Sequence, residues 1–279
     1  MARHGVTFSK GLGQNFLINP SVCPRMAELC GADSDSGVLE IGPGAGVLTN
    51  ELAKRAGKVV AVELDKRLLP VLAETLAEHD NVRILSGDAL KMDLHALMAA
   101  EFPGMRISVC ANLPYYITSP MVLTLLESRL PIDSITVMVQ KEAAQRLCAG
   151  MGTRQAGAIT AAVQYYSCPE LLFSVSRGSF MPAPEVDSAV IRLRIRPTPA
   201  VEADDPHFLF TVVRGAFEQR RKTLLNSLSA ALGLPKENVR AALAAAQVPE
   251  TARPEQLSLE AFAAAANALG RQRGEGFPA

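Results

Sequence analysis

The sequence predicts an α/β protein: a mostly parallel sheet with an antiparallel edge strand, followed by a small all-α C-terminal domain. Three observations predict it. From Gly37 short apolar runs alternate with amphipathic stretches, the pattern of a parallel sheet covered on both faces. From residue 164 two apolar runs follow with little helix between them. Strands joined without a crossover helix pair antiparallel. Beyond His207 the pattern is helical.

Taken in order, Val38-Leu-Glu-Ile41 reads as a buried strand that runs straight into Gly42-Pro-Gly-Ala-Gly46. Residues 47–56 follow with helical spacing. Residues 58–63 form a second strand and 66–78 a helix. Residues 82–85 form a third strand, ending at Ser86-Gly-Asp88, and 107–111 a fourth, ending at Asn112-Leu-Pro-Tyr115. Residues 135–139 are a fifth. Residues 164–175 and 186–196 are the later strands. Pro197-Thr-Pro199 and the acidic stretch 202–206 then break the pattern. The expected domains are therefore 1–197, carrying the sheet, and 198–279, helical. The tail from Gly270 is expected to fray.

Hydrophobic residues make up 48% of the 279 and charged residues 20%, which excludes a wholly disordered chain. Lys and Arg number 28 and Asp and Glu 28. The balance holds on each side of Pro197, at nineteen against nineteen and nine against nine. Binding of polyanions by bulk charge is excluded, so a nucleic-acid site must be a local patch. Cys23, Cys30, Cys110, Cys148 and Cys168 are scattered, with no C-x-x-C pair. That argues against a disulfide framework or a structural zinc site, and for a reducing cytoplasm. The first ten residues are polar and mixed, unlike a signal region. The alanine-rich stretch 241–246 is too short to span a bilayer. The expectation is a soluble cytoplasmic monomer with no membrane partner and no metal.

Three strand ends carry candidate chemistry. Gly42, Gly44 and Gly46 are spaced G-x-G-x-G at a strand-to-helix turn, where glycine lets the backbone approach a ligand closely. The third glycine comes one residue earlier than in the dinucleotide fingerprint. Glu63 ends the second strand, 21 positions after Gly42. An acidic side chain there accepts hydrogen bonds from both ribose hydroxyls of an adenosine cofactor. Nicotinamide dehydrogenases and S-adenosylmethionine methyltransferases share that pairing; the structural alternative is a tight turn with a surface glutamate. Asp88 suits the amino group of an adenine, or else caps a helix beginning at Ala89.

Asn112-Leu-Pro-Tyr115 follows the fourth strand, at the sheet edge that holds sites in such folds. The Asn112 side-chain oxygen and the Leu113 carbonyl can both accept from an exocyclic amino group. Pro114 has no N–H and holds Leu113 extended, aiming that carbonyl outward. Tyr115 offers a face on which a flipped-out base stacks.

Six segments then fall in a telling order: Gly13-Gln-Asn-Phe-Leu17, Glu40-Ile-Gly-Pro-Gly-Ala-Gly-Val-Leu-Thr49, Val62-Glu-Leu-Asp65, Gly87-Asp88, Asn112-Leu-Pro-Tyr-Tyr-Ile-Thr118 and Phe180-Met-Pro-Ala-Pro-Glu-Val-Asp-Ser-Ala-Val-Ile-Arg-Leu193. Together they resemble the S-adenosylmethionine-dependent rRNA adenine dimethyltransferases. Ala216-Phe-Glu-Gln-Arg-Arg-Lys-Thr-Leu-Leu-Asn-Ser-Leu228 and Ala252-Arg-Pro-Glu-Gln-Leu257 favour the small-subunit branch. The resemblance runs from about Ser9 to Leu269. It implies a Rossmann-like class I methyltransferase sheet and S-adenosyl-L-methionine as cofactor. It also implies dimethylation of the N6 amino groups of two adjacent adenosines near the 3' end of small-subunit rRNA, in ribosome biogenesis. The partner implied is the small ribosomal subunit precursor with its rRNA. Cofactor contacts fall on Asn15, Leu17, Gly42, Glu63, Asp88 and Asn112, beside Gly44 of the glycine turn. Target-base contacts fall on Asn112, Leu113, Tyr115 and Phe180. Without the resemblance, Phe16 and Leu17 read as core residues.

The chain departs from the family at Ala111, where glycine is usual, and at Ala156-Gly157, where tyrosine-glycine is usual. A large-subunit rRNA methyltransferase shares the cofactor motifs but not residues 216–228. A DNA adenine methyltransferase normally has a second proline at Leu113. A non-enzymatic assembly factor and a nicotinamide oxidoreductase are the rivals of other kinds. Arg220, Arg221 and Lys222 form the densest basic run, with Arg214 nearby. On one helix Arg214 and Arg221 share a face, with Arg220 and Lys222 to either side. They are RNA phosphate-contact candidates, or a solvated helix face.

Overall fold

A strand buried on both faces needs apolar side chains in both directions, and the run before Gly42 supplies them. The computed structural model describes residues 15–274. Its strands are β1 (Phe16–Leu17), β2 (Ser36–Ile41), β3 (Lys58–Glu63), β4 (Val82–Ser86), β5 (Arg106–Asn112), β6 (Ser134–Gln140), β7 (Ser167–Val175), β8 (Phe180–Met181) and β9 (Ser188–Ile195). Its helices are α1 (Val22–Leu29), α2 (Val47–Ala53), α3 (Leu69–Thr75), α4 (Leu94–Glu101), α5 (Thr118–Glu127), α6 (Lys141–Leu147), α7 (Ala158–Tyr166), α8 (Pro206–Glu218), α9 (Leu224–Leu232), α10 (Lys236–Ala245) and α11 (Leu259–Gly274). Every residue of β2 is buried.

Seven strands form one sheet in the order β4-β3-β2-β5-β6-β9-β7. β4, β3, β2, β5 and β6 run parallel, and β9 pairs antiparallel with β6, from Ser134↔Arg194 to Gln140↔Ser188. The expected mostly parallel sheet with antiparallel pairing toward one edge is the one found. The chain moves outward one way through β3 and β4 and the other way through β5 and β6. The strand order therefore reverses between β2 and β5. Crevices form at the carboxyl ends of strands at such a point. β1 and β8 make a separate antiparallel pair with Leu17 opposite Phe180.

Val38, Leu39, Val59, Val60, Val109, Ile135 and Val137 are fully buried, each contributing about 1.5–3 kcal/mol. Four carboxyls, Glu40, Glu63, Asp65 and Glu101, are buried among the described residues as well. Glu101, at the end of α4, accepts from Lys58 at 3.0 Å and Arg83 at 2.5 Å. The pair ties α4 to the first residue of β3 and to β4.

Backbone packing divides the described chain into two units: residues up to 144 with 169–195, and residues 145–168 with 196 onward. The sequence reading separated only the part after residue 197. Residues 164–166, expected as strand, close the helix α7 instead. Tyr165 is buried there and meets Phe210 edge-on at 5.3 Å, while Tyr166 stacks on the same ring at 5.5 Å. A short apolar run fits either period, and here contact with α8 decides for the helix. Of the tail expected to fray, Gly270 to Gly274 continue the helix α11. Gly13 and Gln14 of the first motif, residues 1–12 and residues 275–279 lie outside the described residues.

In the second unit Asp205 caps α8 by accepting from the backbone N–H groups of His207 and Phe208, ahead of Pro206 in the first turn. Phe262 of α11 is fully buried and stacks on Phe217 of α8 at 5.9 Å. Phe262→Ala is expected to destabilise the protein by about 3–5 kcal/mol. Urea unfolding followed by circular dichroism checks this; an unchanged transition midpoint would remove the ring from the core.

Candidate active site

The turn after β2 is built from glycines in the left-handed region, with φ of 71° at Gly42, 61° at Gly44 and 84° at Gly46. They do different jobs. A Cβ on Gly42 or Gly44 would meet nothing nearer than Pro114 Cδ at 4.0 Å and Phe16 Cε1 at 3.8 Å. The space they leave open belongs to a cavity. At Gly46 a Cβ would crowd Thr75 Oγ1 at 3.0 Å, and Gly46 is the N-cap of α2. The early third glycine thus serves helix packing.

Glu63, the last residue of β3, is buried, and two backbone groups hold its carboxylate. Oε2 accepts from Gly44 N at 3.1 Å and Oε1 from Asp65 N at 2.8 Å. Burial nevertheless pushes its pKa up. Each oxygen keeps further acceptor capacity. Asp88 begins a turn, not a helix: its Oδ1 accepts from Leu90 N at 3.1 Å, and the N-cap of the next helix is Asp93. The other Asp88 oxygen lies 3.6 Å from Lys91 Nζ.

Asn112 ends β5. The Leu113 N–H continues the ladder by donating to the Met138 carbonyl at 3.2 Å, and the Leu113 side chain is buried. Pro114 follows with φ −54° and ψ 135°, an extended geometry that turns the chain away from the sheet. The Tyr115 hydroxyl is 2.9 Å from Ser188 Oγ on β9. Burial raises its pKa, and the Ser188 hydrogen bond opposes the rise. Phe180 is buried and brought alongside by the β1–β8 pair.

These residues surround one cavity of about 470 Å³ at the carboxyl ends of the parallel strands. Asn15, Leu17, Gly42, Gly44, Glu63, Asp88, Asn112, Leu113, Tyr115 and Phe180 all line it. Sequence reasoning missed Glu40, which sits on β2 just before the glycine turn and also lines the cavity. It is 1% exposed, and its Oε2 has no hydrogen-bond partner. Burial pushes its carboxyl up to about 8; the Thr49 hydroxyl alongside opposes this and the Glu63 charge adds to it. Its place inside a run of buried β2 residues was the available signal.

The basic run does not form the expected stripe. α8 ends at Glu218, so Arg220, Arg221 and Lys222 occupy the turn before α9. The Arg220 guanidinium donates to the Arg154 carbonyl and lies 3.8 Å from the Glu255 carboxylate. Arg221 and Lys222 are exposed. At the two departures, Ala111 is fully buried opposite Val137 in β5 and β6, and Ala156 is fully buried just before Gly157, the N-cap of α7. Among the described residues no cluster of His, Cys, Asp and Glu is arranged to hold a metal. No described helix is long and apolar enough to cross a membrane.

Residues 5–270 match the family model described as "Ribosomal RNA adenine dimethylase". The chain is 50% identical over 275 residues to the ribosomal RNA small subunit methyltransferase A of Geobacillus thermodenitrificans, covering 96% of this chain and 93% of that one. The protein of the same name from Alkaliphilus metalliredigens is 47% identical over 257 residues, covering 92% and 90%. Among solved structures, the 23S rRNA methyltransferase ErmE superposes with a TM-score of 0.69 at 31% identity, covering 92% of this chain and all of that one. A dimethyladenosine transferase from Plasmodium falciparum shares the fold, with a TM-score of 0.73 at 24% identity and coverage of 93% and 98%.

Glu40 yields a sign-definite expectation. Its folded-state pKa is raised to about 8, against about 4.3 for a free glutamate. Between those values the unfolded chain releases a proton that the folded chain keeps. The contribution of Glu40 to stability is therefore fully present below the lower value and is lost as pH rises toward 8, by at most about 1.4 kcal/mol per pH unit. Glu40→Gln is expected to flatten that part of the profile. Urea unfolding free energies of ligand-free wild type and variant between pH 5 and 8 check this; parallel profiles would show that Glu40 does not titrate there.

Proposed function

The chain belongs to the ribosomal RNA adenine dimethylase family, and on that premise we propose that it dimethylates the N6 amino groups of two adjacent adenosines near the 3' end of small-subunit rRNA. The observation that carries this reading is one cavity that joins a cofactor set to an adenine-recognition set. Gly42, Gly44, Glu63 and Asp88 lie with Asn112, Leu113, Tyr115 and Phe180 around the same space. The methyl donor is S-adenosylmethionine. The residues suit it: two glycines leave room that a Cβ would fill, and Glu63 retains lone pairs for ribose hydroxyls. Asp88 has one oxygen outside its turn bond for the adenine amine, and Asn15 and Leu17 line the same space. When bound, the cofactor supplies an electrophilic methyl group carried on a sulfonium.

The protein's own part is recognition and alignment. An adenine amine is a weak nucleophile because its lone pair is delocalised into the ring. Acceptance of its hydrogens by the Asn112 side-chain oxygen and the Leu113 carbonyl favours a tetrahedral nitrogen. Tyr115 and Phe180 hold the ring by its faces. Positioning of this kind is worth roughly 7–11 kcal/mol, so the transfer depends on in-line alignment more than on an acid or base, and the proton that each methylation releases passes to solvent. The fixing of Tyr115 by Ser188 and of Phe180 by β1 supports that role. Arg221 and Lys222, exposed in a chain of zero net charge, are the proposed phosphate contacts. Arg220, already engaged with Arg154 and Glu255, has less to offer.

Incubation of the protein with labelled S-adenosylmethionine and unmethylated small subunits, followed by mapping of the bases, tests the reading. Label on two neighbouring adenosines is expected, and no label on rRNA would refute it. Glu63→Ala removes charge-assisted bonds of about 1.5–3 kcal/mol each. Calorimetry is expected to show at least about tenfold weaker cofactor binding; unchanged affinity would take Glu63 out of the site. Tyr115→Ala is expected to slow methyl transfer, at about 1–3 kcal/mol for the lost stacking, with cofactor affinity unchanged. Loss of cofactor binding at an unaltered rate would reverse that assignment.

A further inference from the structure

Large apolar side chains that stay in water are informative when they gather in one place. Among the described residues, Ile18, Val47, Leu64, Tyr116 and Met181 are each about half exposed, and all five line the mouth of the same cavity. Two of them stand out by position. Tyr116 is the chain neighbour of Tyr115, and Met181 of Phe180. In β8 successive side chains point to opposite faces, so Phe180 is 4% exposed and Met181 54%. In the turn Tyr115–Ile117, Tyr115 is held inward by Ser188, while Tyr116 is 57% exposed. An inner aromatic pair is thus doubled, one residue along each chain, by an outer apolar pair at the opening.

We propose that Tyr116 and Met181 form an outer platform that holds the nucleobase next to the adenosine whose ring enters the cavity. This rests on the reading above. An RNA strand that delivers one base to the cavity must pass its mouth with the adjoining nucleotide unpaired. Unpaired bases stack on aromatic side chains with little regard to sequence, and a thioether adds polarisable contact with a π-face. A tyrosine and a methionine exposed on the rim of one cavity suit a flat, neutral ring, and neither offers a charge to a phosphate. The platform positions the strand and takes no part in the chemistry.

Binding of adenylyl-adenosine and of adenosine monophosphate to the protein saturated with S-adenosylhomocysteine separates the two bases. The saturating ligand keeps adenine out of the cofactor's own pocket. The dinucleotide is expected to bind about tenfold more tightly than the mononucleotide, within the 5- to 150-fold that one stacked base supplies. In Tyr116→Ala that advantage is expected to disappear, with mononucleotide affinity unchanged, and in Tyr116→Phe to persist. Tyr116 is exposed, so an unchanged thermal transition is expected for both variants. Equal affinity for the two ligands in wild type overturns the proposal. So does an advantage that survives Tyr116→Ala, or a loss of S-adenosylhomocysteine binding, which assigns the ring to the cofactor. Dimers that Tyr116→Ala converts to monomers assign the patch to a second copy of the chain and overturn it as well. Failure of the broader reading shows separately, as absence of methyl transfer by wild type to small subunits.

Discussion

The reversal of strand order between β2 and β5 is the constraint from which the rest follows. β2 and β5 are parallel neighbours, yet the chain leaves β2 toward β3 and leaves β5 toward β6. Connections that depart to opposite sides leave a gap above the strand ends that no loop closes. The chemically distinctive residues of the sheet lie at or within two residues of a strand end: Glu40 and Gly42 around the end of β2, Glu63 at the end of β3, Asp88 just past β4, Asn112 at the end of β5. Segments far apart in sequence thereby share a single opening. β1 and β8 matter for the same reason, since their pairing sets Leu17 opposite Phe180, and both line the same cavity.

Three carboxyls line that opening, and two of them, Glu40 and Glu63, are buried. Glu63 is partly compensated by backbone N–H groups from Gly44 and Asp65. Glu40 has an oxygen with no partner at all. Both have raised pKa values for the same first reason, burial. Such groups cost stability in the empty protein and are kept where a ligand later supplies the missing partners. The glycine turn shows the same economy. Gly42 and Gly44 forgo a side chain and leave the cavity open, whereas Gly46 forgoes one to let α2 pack.

Much of this was legible in the residues. The alternation of apolar runs and helical spacing specified the parallel sheet, and the strand-end motifs specified the cavity lining. Asn15, Leu17 and Phe180 were legible only through resemblance to a family, because β1 and β8 are two residues each and leave no periodic trace. Residues 164–166 were misread because Tyr165 and Tyr166 suit a strand by propensity, while their contacts with Phe210 are invisible before folding. The basic stripe failed for a similar reason. Continuous helix was assumed across residues 214–222, and α8 stops at Glu218. Glu40 lies within one of the motifs, but its significance is its isolation from solvent, a property of the whole sheet that the local sequence does not carry.

Position 113 separates two kinds of information that usually travel together. The Leu113 side chain is sealed in the interior, and its N–H is committed to Met138. What remains for a substrate is a carbonyl that every amino acid possesses. Substitution at this position by any residue but proline therefore reports on packing alone, and the carbonyl proposed to face the reacting base is invisible to any exchange of side chains. Selection acts on that carbonyl only through what aims it: the proline that follows, and the register of β5 against β6.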